Sequence, residues 1–189
     1  GRLRLESTAD PDEGQAANLV LWCDARFGDG IEISWDFLPL TEPGLAILFF
    51  HADGSDGRDL FDPSLAPRTG PYEQYHSSDI AAYHVSYFRR KYATERRFQT
   101  CNLRKSPGFH LVAQGADPLP GIADVDAPYR DRVRVADGRV AFAIDDLTLF
   151  DWHDEDAPGG PRLTGGHLGF RQMAPLIAEY SNLEVRALD

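Results

Sequence analysis

Residues 31–37 read Ile-Glu-Ile-Ser-Trp-Asp-Phe, so apolar and polar residues alternate without a break. Because successive side chains of a strand point to opposite faces of its sheet, this pattern predicts a strand with one apolar face. Pro39 follows and predicts the end of the ladder, since proline has no N–H to donate. Residues 45–51 are mostly apolar, which predicts a central strand that is buried on both faces.

The same strand-like pattern recurs along the chain, whereas a helical period is hard to find. Further strands are predicted over residues 82–90, 98–105, 109–114, 132–135, 140–144, 147–152, 166–172 and 178–188. Asp137-Gly138 predicts a hairpin turn, and residues 72–82 could hold a helical turn. About ten or eleven short strands without intervening helices predict an all-β fold: a two-sheet antiparallel jelly-roll sandwich. Without repeats or a low-complexity linker, residues 1–189 are predicted to form a single domain.

Composition excludes several classes of protein. The chain has 189 residues and a net charge of −11, so its general surface is not expected to bind nucleic acid or an anionic membrane. No apolar run has the length of a membrane span, and no signal peptide is expected from the first residues. Cys23 and Cys101 fit neither a disulfide framework nor a metal motif. We therefore expect two free thiols and a cytoplasmic location, and the sequence leaves the oligomeric state open.

Positive charge is concentrated in residues 89–105. Seven of the 19 Lys and Arg residues lie in these 17 positions, against one acid, Glu95. One interpretation is a solvated hairpin rim that balances acidic loops. The other is a local positive patch for a carboxylate or phosphate ligand. The sequence alone does not choose between them.

Several longer strings resemble a known family. They are ISWDF (33–37), GRDLFD (57–62), HVSYFRRK (84–91), NLRK (102–105) with residues 109–118, and GFRQMAPL (169–176). These strings resemble the bacterial YesU family of galectin-like proteins. Residues 132–152, followed by GHLGFR (166–171) and YSNLEV (180–185), resemble the end of a concanavalin-like jelly roll. The resemblance covers nearly the whole chain. It implies a concanavalin or galectin type of sandwich and a link to the use of pectic plant cell-wall sugars, and it supplies no catalytic residues.

Strand alternation predicts which side chains line the groove of the concave sheet, the usual carbohydrate site in such folds. If Cys101 and Leu103 face the core, Asn102 and Arg104 face outward. By the same argument His110 faces outward from its strand. Arg171 also faces outward, because Leu168 and Phe170 are assigned to the core. For residues 83–90 we favour the face with His84 and Arg90 as the outward one, since this places fewer polar groups in the core.

Three kinds of carbohydrate site have requirements that can be compared with this set of residues. A retaining glycosidase needs two carboxylates about 5 Å apart, and the Glu-x-Asp-x-x-Glu pattern of jelly-roll glucanases is missing from the sequence. A uronide lyase, which cleaves by β-elimination, needs a base, an acid and cations that stabilise the enolate. A lectin needs only hydrogen bonds and an aromatic platform. The favoured hypothesis is binding and processing of a uronate-bearing pectic oligosaccharide, and the alternative is a non-catalytic lectin-like module.

The outward-facing set supplies candidates for proton transfer and for substrate binding. His84 and His110 are the predicted proton-transfer groups, because the usual pKa of histidine lies near neutrality. Tyr87 replaces them if the other face of its strand lines the groove. The predicted substrate-binding residues are Arg90, Asn102, Arg104, Lys105 and Arg171.

No cofactor or metal is assigned. The motifs GxSxG, GxGxxG, HExxH and the P-loop are missing from the sequence. Residues 53–62 are rich in aspartate and resemble a calcium loop, but Gly57 stands where an EF-hand loop requires a ligand. A solvated acidic turn is the favoured interpretation, and calcium binding stays open as the alternative.

Overall fold

Twelve strands form two six-stranded antiparallel sheets in the computed structural model. The structure describes residues 1–188, except for the side chains of Arg96 and Arg97. The strands are β1 (Arg2–Leu5), β2 (Leu19–Gly28), β3 (Ile31–Pro39), β4 (Leu45–Gly54), β5 (Ile80–Tyr87), β6 (Thr100–Ser106), β7 (His110–Ala116), β8 (Tyr129–Ala136), β9 (Arg139–Ile144), β10 (Leu147–His153), β11 (Gly165–Met173) and β12 (Ala178–Ala187). Sheet I has the order β1-β12-β3-β8-β9-β10. Sheet II has the order β2-β11-β4-β5-β6-β7.

The core lies between the two sheets. On β3, the alternating residues Ile33, Trp35 and Phe37 are fully buried there. The Trp35 ring packs against Tyr87 of sheet II, and its indole N–H donates to the Tyr87 hydroxyl at 3.2 Å. β4 lies between β11 and β5 and is buried on both faces, as its apolar sequence predicts. The predicted two-sheet antiparallel sandwich is confirmed.

Several elements were not predicted from the sequence, among them the edge strands β1 and β2 and a short helix. The edge strand β2 alternates poorly and has Asp24 and Arg26 within it. A short helix, α2 (Ala93–Phe98), interrupts the positive segment, for which a hairpin rim was one of the two interpretations. The Glu95 carboxylate accepts a hydrogen bond from the Tyr92 N–H at 3.0 Å, which caps the first turn of α2. This helix becomes one wall of the candidate site.

The outer face of sheet II is partly covered by residues 55–79, which we call the cover segment. It contains the other short helix, α1 (Glu73–His76), within the region predicted to hold a helical turn. Leu60, Leu65 and Tyr75 of this segment are buried in a second apolar cluster with Ile47 and Phe49 of β4. The outer face of β4 is therefore closed to solvent.

A glycine allows the cover segment to pass close to the residues before β2. At Gly70, which has a φ of +130°, a Cβ atom would lie 2.7 Å from the carbonyl oxygen of Gln15. Any other residue would force these two backbones apart. The Gln15 side chain also accepts a hydrogen bond from the Tyr72 N–H at 2.6 Å. The position of the cover segment is thus fixed at its crossing point.

Cys23 and Cys101 are free thiols on β2 and β6, and three strands of sheet II separate them. Cys101 is fully buried, and burial raises the pKa of its thiol well above the ordinary value. Among the described residues, no helix is long and apolar enough to cross a membrane.

One carboxyl group, that of Asp131, is buried in the core. Asp131 of β8 is fully buried, and neither of its carboxyl oxygens has a hydrogen-bond partner among the described residues. Trp35, its neighbour in register on β3, directs its N–H at Tyr87 instead. Burial, reinforced by the negative charge of Asp117, raises the pKa of Asp131 well above its ordinary value. At pH values between the unfolded and the folded pKa, Asp131 is therefore protonated in the folded protein and ionised in the unfolded chain.

This arrangement predicts a pH-dependent stability. Because the folded pKa of Asp131 is raised, its contribution is complete below the unfolded pKa of about 3.9 and is lost as the pH rises toward the folded pKa. Asp131→Asn should gain stability relative to wild type over that interval, by up to about 1.4 kcal/mol per pH unit. Urea unfolding of both proteins between acidic and slightly alkaline pH measures the difference. Asp146→Asn, at an exposed position, is the control. Parallel pH profiles for Asp131→Asn and wild type would contradict the assignment.

Candidate functional site

A cavity of about 430 Å³ lies on the outer face of sheet II, between α2, β6 and β7. We call it the β6–β7 pocket. It is lined by Arg89, Thr94, Glu95, Phe98, Thr100, Asn102, Arg104, Leu111 and Gln114. The volume is within the range of about 300–1,000 Å³ that small-ligand sites occupy.

Strand alternation brings the β6 residues into this pocket. Cys101 and Leu103 are fully buried in the core between the sheets, so Asn102 and Arg104 project from the outer face. This agrees with the face that the sequence predicts for them. Arg171 of β11 also lies on the outer face, because its register partner Ile47 belongs to the cluster beneath the cover segment.

A β-bulge on β7 overturns the face that was predicted for His110. Leu103 is paired with Ala113 and Arg104 with Leu111, so Val112 is an extra residue on β7. Leu111 and Gln114 therefore both line the pocket although they are three positions apart. The sequence argument assumed strict alternation through the bulge.

His110 consequently lies on the opposite face of sheet II from His84. His110 is opposite Lys105 in the register of β6 and β7, whereas His84 is opposite Arg104 in that of β5 and β6. A Cβ atom on Gly159 would lie 3.2 Å from the His110 ring and 3.3 Å from the Lys105 side chain, which places these two side chains together. The prediction that His84 and His110 share one face is wrong.

Arg104 is the charged group that the pocket leaves without an acidic partner. Its guanidinium lies 3.7 Å from the centre of the Phe109 ring, and Nη1 donates to the Phe109 carbonyl oxygen at 2.9 Å. Within the described residues, no carboxylate forms an ion pair with it. Burial lowers the pKa of Arg104 from its ordinary value, but a guanidinium remains charged at neutral pH. Arg104 can therefore still bind an anion.

The other polar groups of the pocket are already ordered. Arg89 donates to the Thr100 hydroxyl at 2.7 Å and approaches the Glu95 carboxylate at 3.4 Å. The Asn102 side-chain amide lies 3.1 Å from Arg89 and is 4% exposed. Two guanidinium groups thus face one carboxylate in the pocket of a protein with a net charge of −11. The pocket is locally positive.

His84 lies behind this pocket, beneath the cover segment. It is 1% exposed and stacks on Phe49 at 5.2 Å between ring centres. Its Nδ1 is 2.7 Å from the Tyr72 hydroxyl, and its Nε2 is 3.2 Å from the Ser106 hydroxyl. Burial keeps the pKa of His84 well below its ordinary value, so its imidazole is neutral at neutral pH. The predicted outward face is correct, but solvent does not reach the ring.

Arg171 is buried in the same region. It is fully buried, and Nη2 donates to the Gly70 carbonyl oxygen at 2.7 Å. The guanidinium lies 5.0 Å from the centre of the Tyr72 ring and 4.9 Å from that of Tyr75. Burial lowers the pKa of Arg171. Arg171 therefore holds the cover segment on sheet II and does not line the β6–β7 pocket.

Three further predicted site residues are part of the internal structure. Arg90 is 4% exposed and forms an ion pair with Asp117 at 3.0 Å. Lys105 is fully buried and lies 2.7 Å from the Asp154 carboxylate. Tyr87 is in the core between the sheets. The predicted ligand contacts of these residues are contradicted by burial, since each side chain already has an internal partner.

Sequence reasoning missed several residues around the site. Phe109, which precedes His110 and was not assigned to the site, is 45% exposed and supports Arg104. Tyr72 and His76 of the cover segment surround Phe109, with ring centres at 5.5 and 4.3 Å. No local motif marks them, because they reach the site only through the path of the cover segment. Gln114 and Arg89 were visible as polar strand residues but were not assigned a role.

A cluster of possible metal ligands lies elsewhere on sheet II, at β4, β11 and the start of the cover segment. Asp53, Asp59 and His167 place ligand atoms within 4.8 Å of one another, in the region considered as a calcium loop. Arg26 already forms ion pairs with both carboxylates, and the Phe61 N–H and His167 lower the pKa of Asp59 to about 2. These internal partners support a structural interpretation of the cluster.

A cavity of about 400 Å³ on the outer face of sheet I is lined by arginines. Arg134 donates to Glu32 at 2.6 Å, and Arg139 forms two hydrogen bonds with Asp151 at 2.7 and 2.6 Å. Because these guanidinium groups already bind carboxylates, the β6–β7 pocket is the better candidate for an anionic ligand.

Comparison with known proteins agrees with the fold. The chain is 56% identical over 169 residues to "Uncharacterized protein YesU" of Bacillus subtilis (strain 168), which covers 89% of this chain and 77% of that protein. It is similar to the crystal structure of a protein of unknown function with a galectin-like fold from Bacillus subtilis, with a TM-score of 0.88 and 55% identity over 90% of this chain and 77% of the other. The carbohydrate-binding module CBM66 from Bacillus subtilis shares the fold at 14% identity and a TM-score of 0.56, over 90% of this chain and 82% of the module.

The resemblance drawn from the sequence strings is confirmed by these comparisons. A family model described as "Domain of unknown function (DUF1961)" matches residues 1–185, which is nearly the whole chain. The chain, which has a galectin-like sandwich and is 56% identical to YesU, therefore belongs to the DUF1961 family.

Proposed function

We propose that this protein binds an acidic oligosaccharide, one that carries a uronate carboxylate, in the β6–β7 pocket. The observation that carries the proposal is Arg104. It is held against Phe109, lines the pocket and has no carboxylate partner among the described residues. A guanidinium can grip a carboxylate with two parallel hydrogen bonds. The exposed Gln114 amide lines the pocket beside Arg104 and can contact sugar hydroxyls, and the exposed Phe98 ring is available for an apolar sugar face.

The charge distribution supports an anionic ligand over a neutral one. A protein with a net charge of −11 repels anions over most of its surface, so a local positive pocket determines where an acidic sugar can bind. The fold is also that of a protein described as a carbohydrate-binding module. The link of YesU-like proteins to pectic sugars makes galacturonate-containing fragments the favoured ligands.

The binding proposal is tested with a panel of acidic and neutral oligosaccharides. Isothermal titration calorimetry should detect binding of oligogalacturonates or glucuronate-containing fragments and no comparable binding of neutral glycans of equal length. The affinity should fall as salt is added, because the pocket is partly open and its charges are screened. Equal affinity for neutral glycans, or no binding of any acidic one, would refute the proposal.

A second candidate function, β-elimination of the bound uronate, is favoured by the contact between Tyr72 and His84. In this reaction the proton next to the carboxylate is removed, a C=C bond forms and the glycosidic C–O bond breaks, with a proton passing to the leaving oxygen. His84 is buried and Tyr72 lies behind Phe109, so a proton taken from the uronate would reach His84 only through the Tyr72 hydroxyl, which is 2.7 Å from its Nδ1. Arg104 would stabilise the charge that develops on the carboxylate.

The two candidates differ in their products. Elimination leaves an unsaturated uronide, which absorbs ultraviolet light, whereas a lectin-like module leaves the oligosaccharide intact. For elimination, Tyr72→Phe should abolish the absorbance increase and retain binding, because only the hydroxyl is removed. Binding without any increase in absorbance by wild type would favour the lectin-like module.

A further inference from the structure

We infer that the β6–β7 pocket receives the end of an acidic sugar chain and does not accept the interior of a polymer. The inference rests on the proposed function, since it specifies which part of the acidic oligosaccharide is bound. It follows from the way in which the cover segment and α2 divide the outer face of sheet II.

Most of the outer face of sheet II is not available to a ligand. Ile47 and Phe49 of β4 are fully buried under the cover segment, in contact with the apolar cluster that includes Leu60 and Tyr75. On β5, the next strand toward the pocket, His84 is 1% exposed. A polysaccharide therefore cannot lie across all six strands, as it could in an open groove.

The pocket also has walls along the strand direction. At the start of β6, α2 contributes Thr94, Glu95 and Phe98 to the lining. At the other end, Phe109 packs against Arg104 and is backed by Tyr72. A cavity of about 430 Å³ between these walls has room for a ligand of about two sugar residues.

The remaining approach passes over β7, which is the edge strand of sheet II. A sugar chain that enters there crosses Leu111 and Gln114 on β7 and then meets Asn102 and Arg104 on β6. Beyond them lies the buried surface of β5. The chain thus has an entrance but no exit on the far side, and its terminal uronate is the residue that Arg104 can hold.

The inference is tested with a length series of oligogalacturonates, from the monomer upward, together with polygalacturonate. Calorimetry should show that the affinity per molecule rises up to about the disaccharide or trisaccharide and then stays within about twofold. The stoichiometry on polygalacturonate should follow the concentration of chain ends. The same series with glucuronate-containing fragments is the parallel arm.

The outcomes separate this inference from the proposed function. An affinity that keeps rising with length, with many protein molecules on each polymer, would overturn recognition of the chain end and leave acidic-sugar binding standing. No binding of any acidic chain in either series would overturn both. A plateau at short length, with binding in proportion to chain ends, supports both.

Discussion

Arg104→Glu should reduce the affinity for an acidic oligosaccharide by at least about 100-fold, since like charges brought together at a binding site cost several kcal/mol. The substitution replaces a guanidinium that has no acidic partner among the described residues with a carboxylate that repels the ligand. Arg104→Ala should have an intermediate effect, about 1–3 kcal/mol, because it removes only the charged hydrogen bonds. Titration calorimetry with the tightest-binding acidic oligosaccharide measures both variants.

A matched control separates the local effect from the change in net charge. Arg139→Glu changes the net charge of the chain by the same amount, but Arg139 lies on sheet I and forms an ion pair with Asp151. It should leave the affinity for acidic sugar nearly unchanged. Near-ultraviolet circular dichroism verifies that each variant is folded. If Arg104→Glu binds as tightly as wild type, the β6–β7 pocket is not the site.

The parts of the fold that could be predicted are those in which one strand face is uniformly apolar. The alternation in residues 31–37 and the apolar run at residues 45–51 identified β3 and β4 correctly, and Asp137-Gly138 marked the turn between β8 and β9. The edge strand β2 could not be recognised, because one of its sides has no neighbouring strand and none of its side chains is fully buried. Edge strands tolerate residues such as Asp24 and Arg26, which obscure the period.

The site was predictable only where alternation is unbroken. Asn102 and Arg104 lie on a regular strand, and the sequence placed both on the correct face. His110 lies on the face opposite to the predicted one, because the extra residue Val112 shifts the alternation of side chains along β7. No residue type in the sequence marks this bulge. Lys105 shows a further limit. Its neighbours on the strand identify its face, but a buried partner from a distant loop is visible only in three dimensions.

The two buried cations found on sheet II have different consequences for function. Arg171 is surrounded by tyrosine rings and the Gly70 carbonyl oxygen, so it anchors the cover segment that closes His84 from solvent. Lys105 faces the core and joins sheet II to a loop that follows β10. The positive segment, residues 89–105, therefore supplies Arg89 and Arg104 to the pocket and Lys105 to the buried ion pair, whereas Arg171 lies outside this segment. Arg90, Arg104 and Lys105 are the cations of this segment that were predicted to bind substrate. Of these three, only Arg104 lines the pocket and can bind a ligand.

Lys105→Met should lower the free energy of unfolding by about 3–5 kcal/mol, because breaking a buried ion pair leaves an uncompensated charge. Lys105 and Asp154 are both fully buried, and their charged atoms are 2.7 Å apart. The Lys105 ammonium also donates to the Gly160 carbonyl oxygen at 2.6 Å, so the variant removes a donor from that carbonyl as well as the positive charge beside Asp154. Urea unfolding followed by tryptophan fluorescence measures the loss.

A second variant and a binding measurement decide between a structural and a ligand-binding role for Lys105. Lys105→Met combined with Asp154→Asn should recover part of the lost stability, since the buried carboxylate is then neutral. The side-chain amide oxygen at position 154 can still accept the hydrogen bond that the Tyr83 hydroxyl donates to Asp154 in wild type. At a temperature where both variants are folded, their affinity for acidic oligosaccharide should match that of wild type, because the Lys105 side chain points away from the β6–β7 pocket. A Lys105→Met variant with wild-type stability and lost binding would restore Lys105 as a substrate-binding residue, and the buried ion pair would then not be what holds the loop to sheet II.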